Sequence, residues 1–348
     1  CHSTSYTLQF RFDEAGWNKI ISMMKVVPNN GVYPGPTAKP NQILDRNQKQ
    51  LAAYLARARG PGESSMKVTA RARPTGEAAR AVWKLYDLQL NPDTGIGTKY
   101  NPNDGTEWAL GTTSKIGQLP HDGGLGLDGT IYFTVNNPNK SVTIGKVNPQ
   151  TGAVKYLKAE ANNGQAATAH GLVRDAQGNF WFDVNPGRRA LGKLDVATEN
   201  ITIYQTPPSM SPLGGAVTMD VDGKGQIWAS TPTGAVRFDP VAEKFTEFKS
   251  VVPTKQRGTI ATYGAAGDRD GNGWWAQMAL DTIYKGDVAT GKAIAIKLPD
   301  VKVDHISAED RAFYENVSDL GFNNPSPMSQ GPRRMGTDKN ADVLWIGN

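Results

Sequence analysis

Two of the four histidines in this 348-residue chain, His121 and His170, fall at one position of a recurring pattern. Each stands 11 residues ahead of an aromatic, Tyr132 or Trp181, that centres a strand-like stretch. An imidazole titrates nearest neutrality of all side chains, so two of them facing one pocket suit general-base work. Asp183, just beyond Trp181, is the one carboxylate in the aromatic stretches and the candidate to orient such a base. The same placement also suits a purely local task, in which each imidazole locks its own loop by bonding a backbone carbonyl. Arg333 and Arg334 lie at the same level ahead of Trp345. Adjacent guanidiniums there can clamp a carboxylate or phosphate of a substrate, or bond carbonyls of a neighbouring repeat.

A second constellation opens the chain. Cys1-His2 forms the end of the C-x-x-C-H pattern, in which two thiols bond haem vinyl groups and the histidine ligates iron. On this reading haem c is the cofactor, Cys1 one attachment point, His2 the proximal metal ligand, and the first cysteine lies upstream of residue 1. Met24, or its neighbour Met23, is the candidate sixth ligand, because a thioether opposite imidazole raises the reduction potential. A chain that begins at cysteine also fits a lipoprotein acylated there, and core packing accounts for a methionine equally well.

These residues need elements to hold them, and the sequence repeats one. Asp128-Gly129 leads to Ile131-Tyr132-Phe133, then Gly145-Lys146-Val147-Asn148; Gln177-Gly178 leads to Phe180-Trp181-Phe182, then Gly192-Lys193-Leu194-Asp195. Asp222-Gly223 through Trp228 to Asp239, and Asp270-Gly271 through Trp274-Trp275 to Asp287, repeat it twice more, and a fifth copy reaches Trp345. With Tyr132, Trp181, Trp228 and Trp275 as centres the spacings are 49, 47 and 47 residues. That is close to the about 40 to 50 residues of a four-stranded propeller blade. A unit of this size buries its apolar face only against a neighbour, so the pattern predicts a mainly β fold, a β-propeller of four complete blades and one partial. A closed ring would hold roughly six or seven. Ligands of such rings sit at the channel mouth, in the loops ahead of the aromatic strands. At the histidine offset the third and fourth copies carry Val217 and Gly264, so the imidazoles are not part of the repeat itself.

Composition narrows the classes. Glycine and proline, 38 and 22 residues, suit a turn-dense β protein, and the net charge of +5 is spread singly along strands rather than clustered, which speaks against nucleic acid. No run approaches the about 18 apolar residues of a membrane span. There is no Gly-x-Ser-x-Gly, P-loop or His-Glu-x-x-His, and Gly123-Gly124-Leu125-Gly126 has no helix after it to bind a dinucleotide.

Ahead of the repeats, Trp17, Ile20, Ile21 and Met24 mark one helical face behind a capping Asp13, and a second helix is expected from Asn47 to Arg59 before Gly60-Pro61-Gly62. This divides the chain into a helical segment 1–62, a linker 63–78 and a propeller 79–348, with Val82-Trp83-Lys84-Leu85-Tyr86 as a strand that would close the ring. Between the fourth and fifth copies, Ser307-x-x-Asp310 predicts a short capped helix on a lid or docking loop, with His305 exposed beside it.

Cys-His, a helix with Trp17 and Met24, a proline-rich loop and a second helix resemble a small c-type cytochrome. Across nearly the whole chain, Tyr86-Asp87-Leu88, Pro120-His121-Asp122 and Pro332-Arg333-Arg334 stand in the order found in bacterial proteins that fuse such a cytochrome to a propeller. The propeller resembles the virginiamycin B (streptogramin) lyase-like family. That resemblance implies an exported, periplasmic protein transferring electrons through haem c, with a redox partner protein and a small-molecule, peptide or saccharide ligand at the propeller mouth. Streptogramin lyases open a cyclic depsipeptide by elimination, with a histidine base, glutamates and a divalent cation such as Mg. Here the aromatic strands continue to Val135, Val184, Thr231, Met278 and Asn348, and none ends in glutamate. A C–O lyase using His121 or His170, or a non-catalytic binding scaffold, are the alternatives.

Overall fold

The computed structural model describes residues 7–26, 42–64, 66, 72–86, 88, 120–135, 142–160, 167–185, 187, 189–213, 217–251, 262–317 and 327–347. The chain divides into two compact units, Cys1–Gly117 and Gln118–Asn348.

In the first unit, helix α1 (Glu14–Val26) starts where the carboxylate of Asp13 accepts the Gly16 N–H at 2.7 Å, so the expected cap is formed. Helix α2 (Gln42–Arg59) begins earlier than Asn47, because Leu44 is itself drawn onto the apolar cluster between the helices. That cluster buries Trp17, Ile21, Ala52 and Leu55, with Phe12 edge-on to Trp17 at 5.3 Å. Met23 and Met24 are half-buried on α1 and stand outside the cluster. Cys1 and His2 lie outside the described residues. Residues 82–86 carry no strand; Val82, Trp83 and Leu85 are exposed rather than paired into a sheet. Five residues in sequence do not make a strand without an edge to supply their backbone partners.

The second unit is built of antiparallel meanders. Its first sheet runs β1 (Pro120–Leu125), β2 (Ile131–Val135), β3 (Ile144–Val147), β4 (Val154–Leu157), and its second β5 (Leu172–Arg174), β6 (Phe180–Asp183), β7 (Ala190–Leu194), β8 (Ile201–Gln205). The third comprises β9 (Met219–Val221), β10 (Ile227–Thr231), β11 (Gly234–Asp239), β12 (Lys244–Lys249), and the fourth β13 (Thr262–Gly267), β14 (Gly273–Gln277), β15 (Thr282–Asp287), β16 (Lys292–Lys297). Helix α3 (Ala308–Val317) follows, capped as expected: Ser307 Oγ accepts the Asp310 N–H at 3.0 Å. A two-stranded sheet of β17 (Met335–Thr337) and β18 (Leu344–Ile346) comes last.

The short first strands form the hub: β1 lies against β5, β5 against β9, β9 against β13 and β13 against β17. The aromatic strands are therefore second from the hub rather than innermost. Apolar side chains are buried between consecutive sheets, as a propeller-like stack of blades requires. Tyr132 meets Phe180 and Phe182, Trp181 meets Phe238, and Trp228 meets Phe248, Trp275 and Tyr284.

A hydrogen bond fixes the register of the repeat. The indoles of Trp181, Trp228 and Trp274 donate to Asp175 at 2.9 Å, Asp222 at 2.9 Å and Asp268 at 3.0 Å, always six residues earlier. The aromatic of the fourth sheet that matches Trp181 is therefore Trp274, not Trp275. Cross-strand pairing agrees, since Tyr132, Trp181, Trp228 and Trp274 face Lys146, Lys193, Arg237 and Lys285. Trp275 points to the other face, where it is buried between sheets.

Candidate functional site

With the register corrected, the residues level with His121 and His170 are Val217, Tyr263 and Arg333, and the next position holds Asp122, Gly171, Thr218, Gly264 and Arg334. In the first sheet these positions form a β-bulge between Pro120 and Gly123, and the fourth has a bulge between Tyr263 and Ala265. A bulge adds one residue against the partner strand and re-aims its side chains. Gly264 takes φ +71°, and a Cβ there would lie 2.2 Å from the Arg333 carbonyl oxygen, so only glycine lets the fifth sheet approach.

The two imidazoles come together, their ring centres 3.5 Å apart and tilted by 33°. His121 Nδ1 lies 3.2 Å from the His170 carbonyl, and His170 Nδ1 lies 2.9 Å from the Val217 carbonyl. A carbonyl only accepts, so both Nδ1 atoms carry a proton, and in His170 Nε2 is left as an acceptor whenever the ring is neutral. Each imidazole thus locks the equivalent residue of the next sheet. His170 is buried, and burial first, then the neighbouring His121 charge, pulls its pKa down to about 4 against the opposing bond to Val217. It is neutral at ordinary pH. His121 is exposed and is the more accessible of the pair.

In the first three sheets a second-strand polar residue props the mouth loop from below. Thr134 Oγ1 accepts the Asp122 N–H at 2.9 Å and donates to the His170 carbonyl at 2.9 Å. Asp183 Oδ1 accepts the His170 and Gly171 N–H groups, both at 2.7 Å, and its Oδ2 accepts from Asn185 at 2.6 Å. Ser230 Oγ accepts the Thr218 N–H at 3.2 Å. Asp183 therefore holds the main chain of His170 rather than its ring, and acts as a positioning residue. Its complete burial pushes its pKa up to about 6 in spite of those three donors.

The carboxylate beside an imidazole is Asp122, which sequence reasoning passed over: its Oδ1 lies 3.4 Å from His121 Nδ1. The same oxygen is 3.4 Å from Arg334 Nη1, which comes from the fifth sheet 212 residues away. The Arg334 guanidinium also lies over the Tyr263 ring, 5.8 Å from its centre. Arg333 and Arg334 part company: Arg334 is exposed at the mouth, whereas Arg333 frames it, its N–H bonded to the Gly347 carbonyl at 2.7 Å. Met23 and Met24 belong to the other unit. Among the described residues no group of three or more His, Cys, Asp and Glu is placed to hold a metal ion. No helix there is long and apolar enough to cross a membrane.

No protein-family model matches the sequence, and no curated protein does. Among solved structures, a catalytically inactive virginiamycin B lyase from Staphylococcus aureus with quinupristin matches at 16% identity and a TM-score of 0.46 over 68% of this chain. The chain spans 65% of that protein's length. A streptogramin B lyase matches at 14% identity and a TM-score of 0.34, over 66% of this chain and 90% of its own. An auxiliary nutrient binding protein from Bacteroides thetaiotaomicron matches at 9% and 0.42, over 68% of this chain and 58% of its own.

Proposed function

We propose that this chain is an exported, periplasmic electron-transfer protein whose helical unit carries covalent haem c and whose propeller-like unit binds a ligand or redox partner at its mouth. The observation that carries the second half is convergence. His121 and Asp122 from the first sheet, His170 from the second, Tyr263 from the fourth and Arg334 from the fifth meet in one run of contacts. Five polar or aromatic side chains from four sheets define a recognition surface that no single blade requires for its own packing.

The first half is supported by donor chemistry. Cys1 supplies a thiol and His2 an imidazole, and the half-buried Met24 and Met23 offer thioethers that the apolar cluster of α1 and α2 does not use. His2 and Met24, or Met23, would hold the iron, with Cys1 bonding the macrocycle. Bound haem supplies one-electron transfer. The full-length protein, produced alongside a cytochrome c maturation system, is expected to show a Soret band and haem that survives denaturation. Absence of covalent haem would overturn this assignment.

The His121–Asp122 contact favours a second reading, a C–O lyase on a cyclic ester or depsipeptide. There His121 Nε2 would take a proton from carbon as the neighbouring C–O bond breaks, with Asp122 steadying the resulting imidazolium. Ring opening by the wild type, lost in His121→Ala with the fold intact, would establish it, and an inert wild type would remove it.

A further inference from the structure

This inference rests on the mouth being a binding site, as proposed above, and names what it binds. We propose that the mouth ligand bears a carboxylate and that Asp122 is its internal placeholder, occupying the seat between Arg334 and His121 until the ligand displaces it.

The contacts of Asp122 are those of a loose occupant. One oxygen serves both Arg334 Nη1 and His121 Nδ1, each at 3.4 Å. A guanidinium–carboxylate pair built for strength is bidentate and about 2.7–2.9 Å long. Toward Asp122 the fork of Arg334 is thus engaged through one nitrogen at long range, beside its hydrogen bond with Tyr263, and its side chain keeps 52% of its surface exposed. Tyr263, whose ring centre lies 5.8 Å from the guanidinium carbon and which also hydrogen-bonds the group, steadies it from one side. Asp122 sits on the bulge, and its N–H is tied to Thr134 at 2.9 Å, so the side chain can swing out without disturbing the strand. Burial would raise the Asp122 carboxyl, but the His121 bond and the Arg334 charge outweigh it and hold it below its usual range. The seat therefore favours a negative charge. A planar two-oxygen group fills it now, which favours a carboxylate over a tetrahedral anion.

Four histidines make the imidazole C–H signals of the intact chain individually assignable by NMR. Benzoate, its neutral counterpart benzamide, and sulfate serve as probes at constant ionic strength. Benzoate is expected to shift the His121 and His170 signals saturably, while benzamide and sulfate leave them in place. Asp122→Asn should bind benzoate about tenfold more tightly and Arg334→Gln about tenfold less, the worth of one charged contact. Amide spectra report that each variant is folded. Equal shifts with benzamide or sulfate would overturn the carboxylate and keep the mouth as a binding site. No shift with any probe, in the wild type and in Asp122→Asn alike, would overturn both. Weaker benzoate binding by folded Asp122→Asn would overturn the placeholder.

Discussion

The imidazole of His121 stacks against that of His170 at 3.5 Å, and the carbonyl that accepts from the first ring belongs to the residue carrying the second. Two sheets therefore share one polar unit at the hub. A proton added to either ring is felt by the other, and His170, buried, is the less able to take one.

His170 is expected to titrate near pH 4, well below the ordinary histidine value of 6.5, in an NMR titration of its imidazole signals. His121→Gln removes a neighbouring charge but not the burial, so the midpoint should rise and stay below 6.5. A wild-type midpoint at 6.5 would mean that water reaches the ring freely.

Asp183 gives a pH dependence of opposite sign. Its folded pKa, about 6, lies above its ordinary 3.8, so the folded state binds the extra proton and gains stability as pH falls between those values. Asparagine cannot take that proton. The stability difference between wild type and Asp183→Asn should move in favour of wild type from pH 6 to pH 4, by ~2 kcal/mol. Chemical denaturation at a series of pH values reads this directly, and a constant gap would show Asp183 ionised throughout.

Thr134→Val keeps the shape of a fully buried side chain and removes both of its bonds, to the Asp122 N–H and the His170 carbonyl. The expected cost is about 1–3 kcal/mol in denaturant unfolding. The His121 and His170 signals should move together in the folded variant; unchanged signals would show that Thr134 does not couple the two loops.

Trp228→Phe should cost about 2–4 kcal/mol, because it opens space among Phe248, Trp275 and Tyr284 and leaves a buried Asp222 oxygen without its indole donor. Thermal unfolding measures it. A change within about 0.5 kcal/mol, the scale of a surface substitution, would mean that the register rests elsewhere.

Much of this was legible in the residues. Turn pairs such as Asp128-Gly129 and Asp222-Gly223, with aromatic and basic strands after them, announce the sheets, because turn chemistry and alternation act locally. The cap at Asp13 and the helix behind Ser307 were readable for the same reason. What was not readable depends on register. Trp274 and Trp275 are both aromatic, and composition does not say which faces the turn; the signal was Asp268, six residues before Trp274. That one-residue slip hid Tyr263 behind Gly264 at the mouth. Asp122 is not legible as a site carboxylate, because a bulge, which no periodicity reveals, turns it toward His121 and Arg334. Asp183 drew notice as a carboxylate in the right stretch, yet two backbone N–H groups claim one of its oxygens.

The indole–carboxylate bonds at Asp175–Trp181, Asp222–Trp228 and Asp268–Trp274 carry a kinetic meaning. Each spans six residues, a loop whose closure costs little entropy, so the aromatic strand can be registered against its turn before any neighbouring sheet exists. A chain growing from the ribosome can then set each hairpin as it emerges and add it to the one before, in the order of translation. In Tyr132's sheet Gly126 stands where the second, third and fourth sheets have aspartate, so this hairpin lacks the staple and awaits Phe180 of the second sheet to hold its aromatic in place.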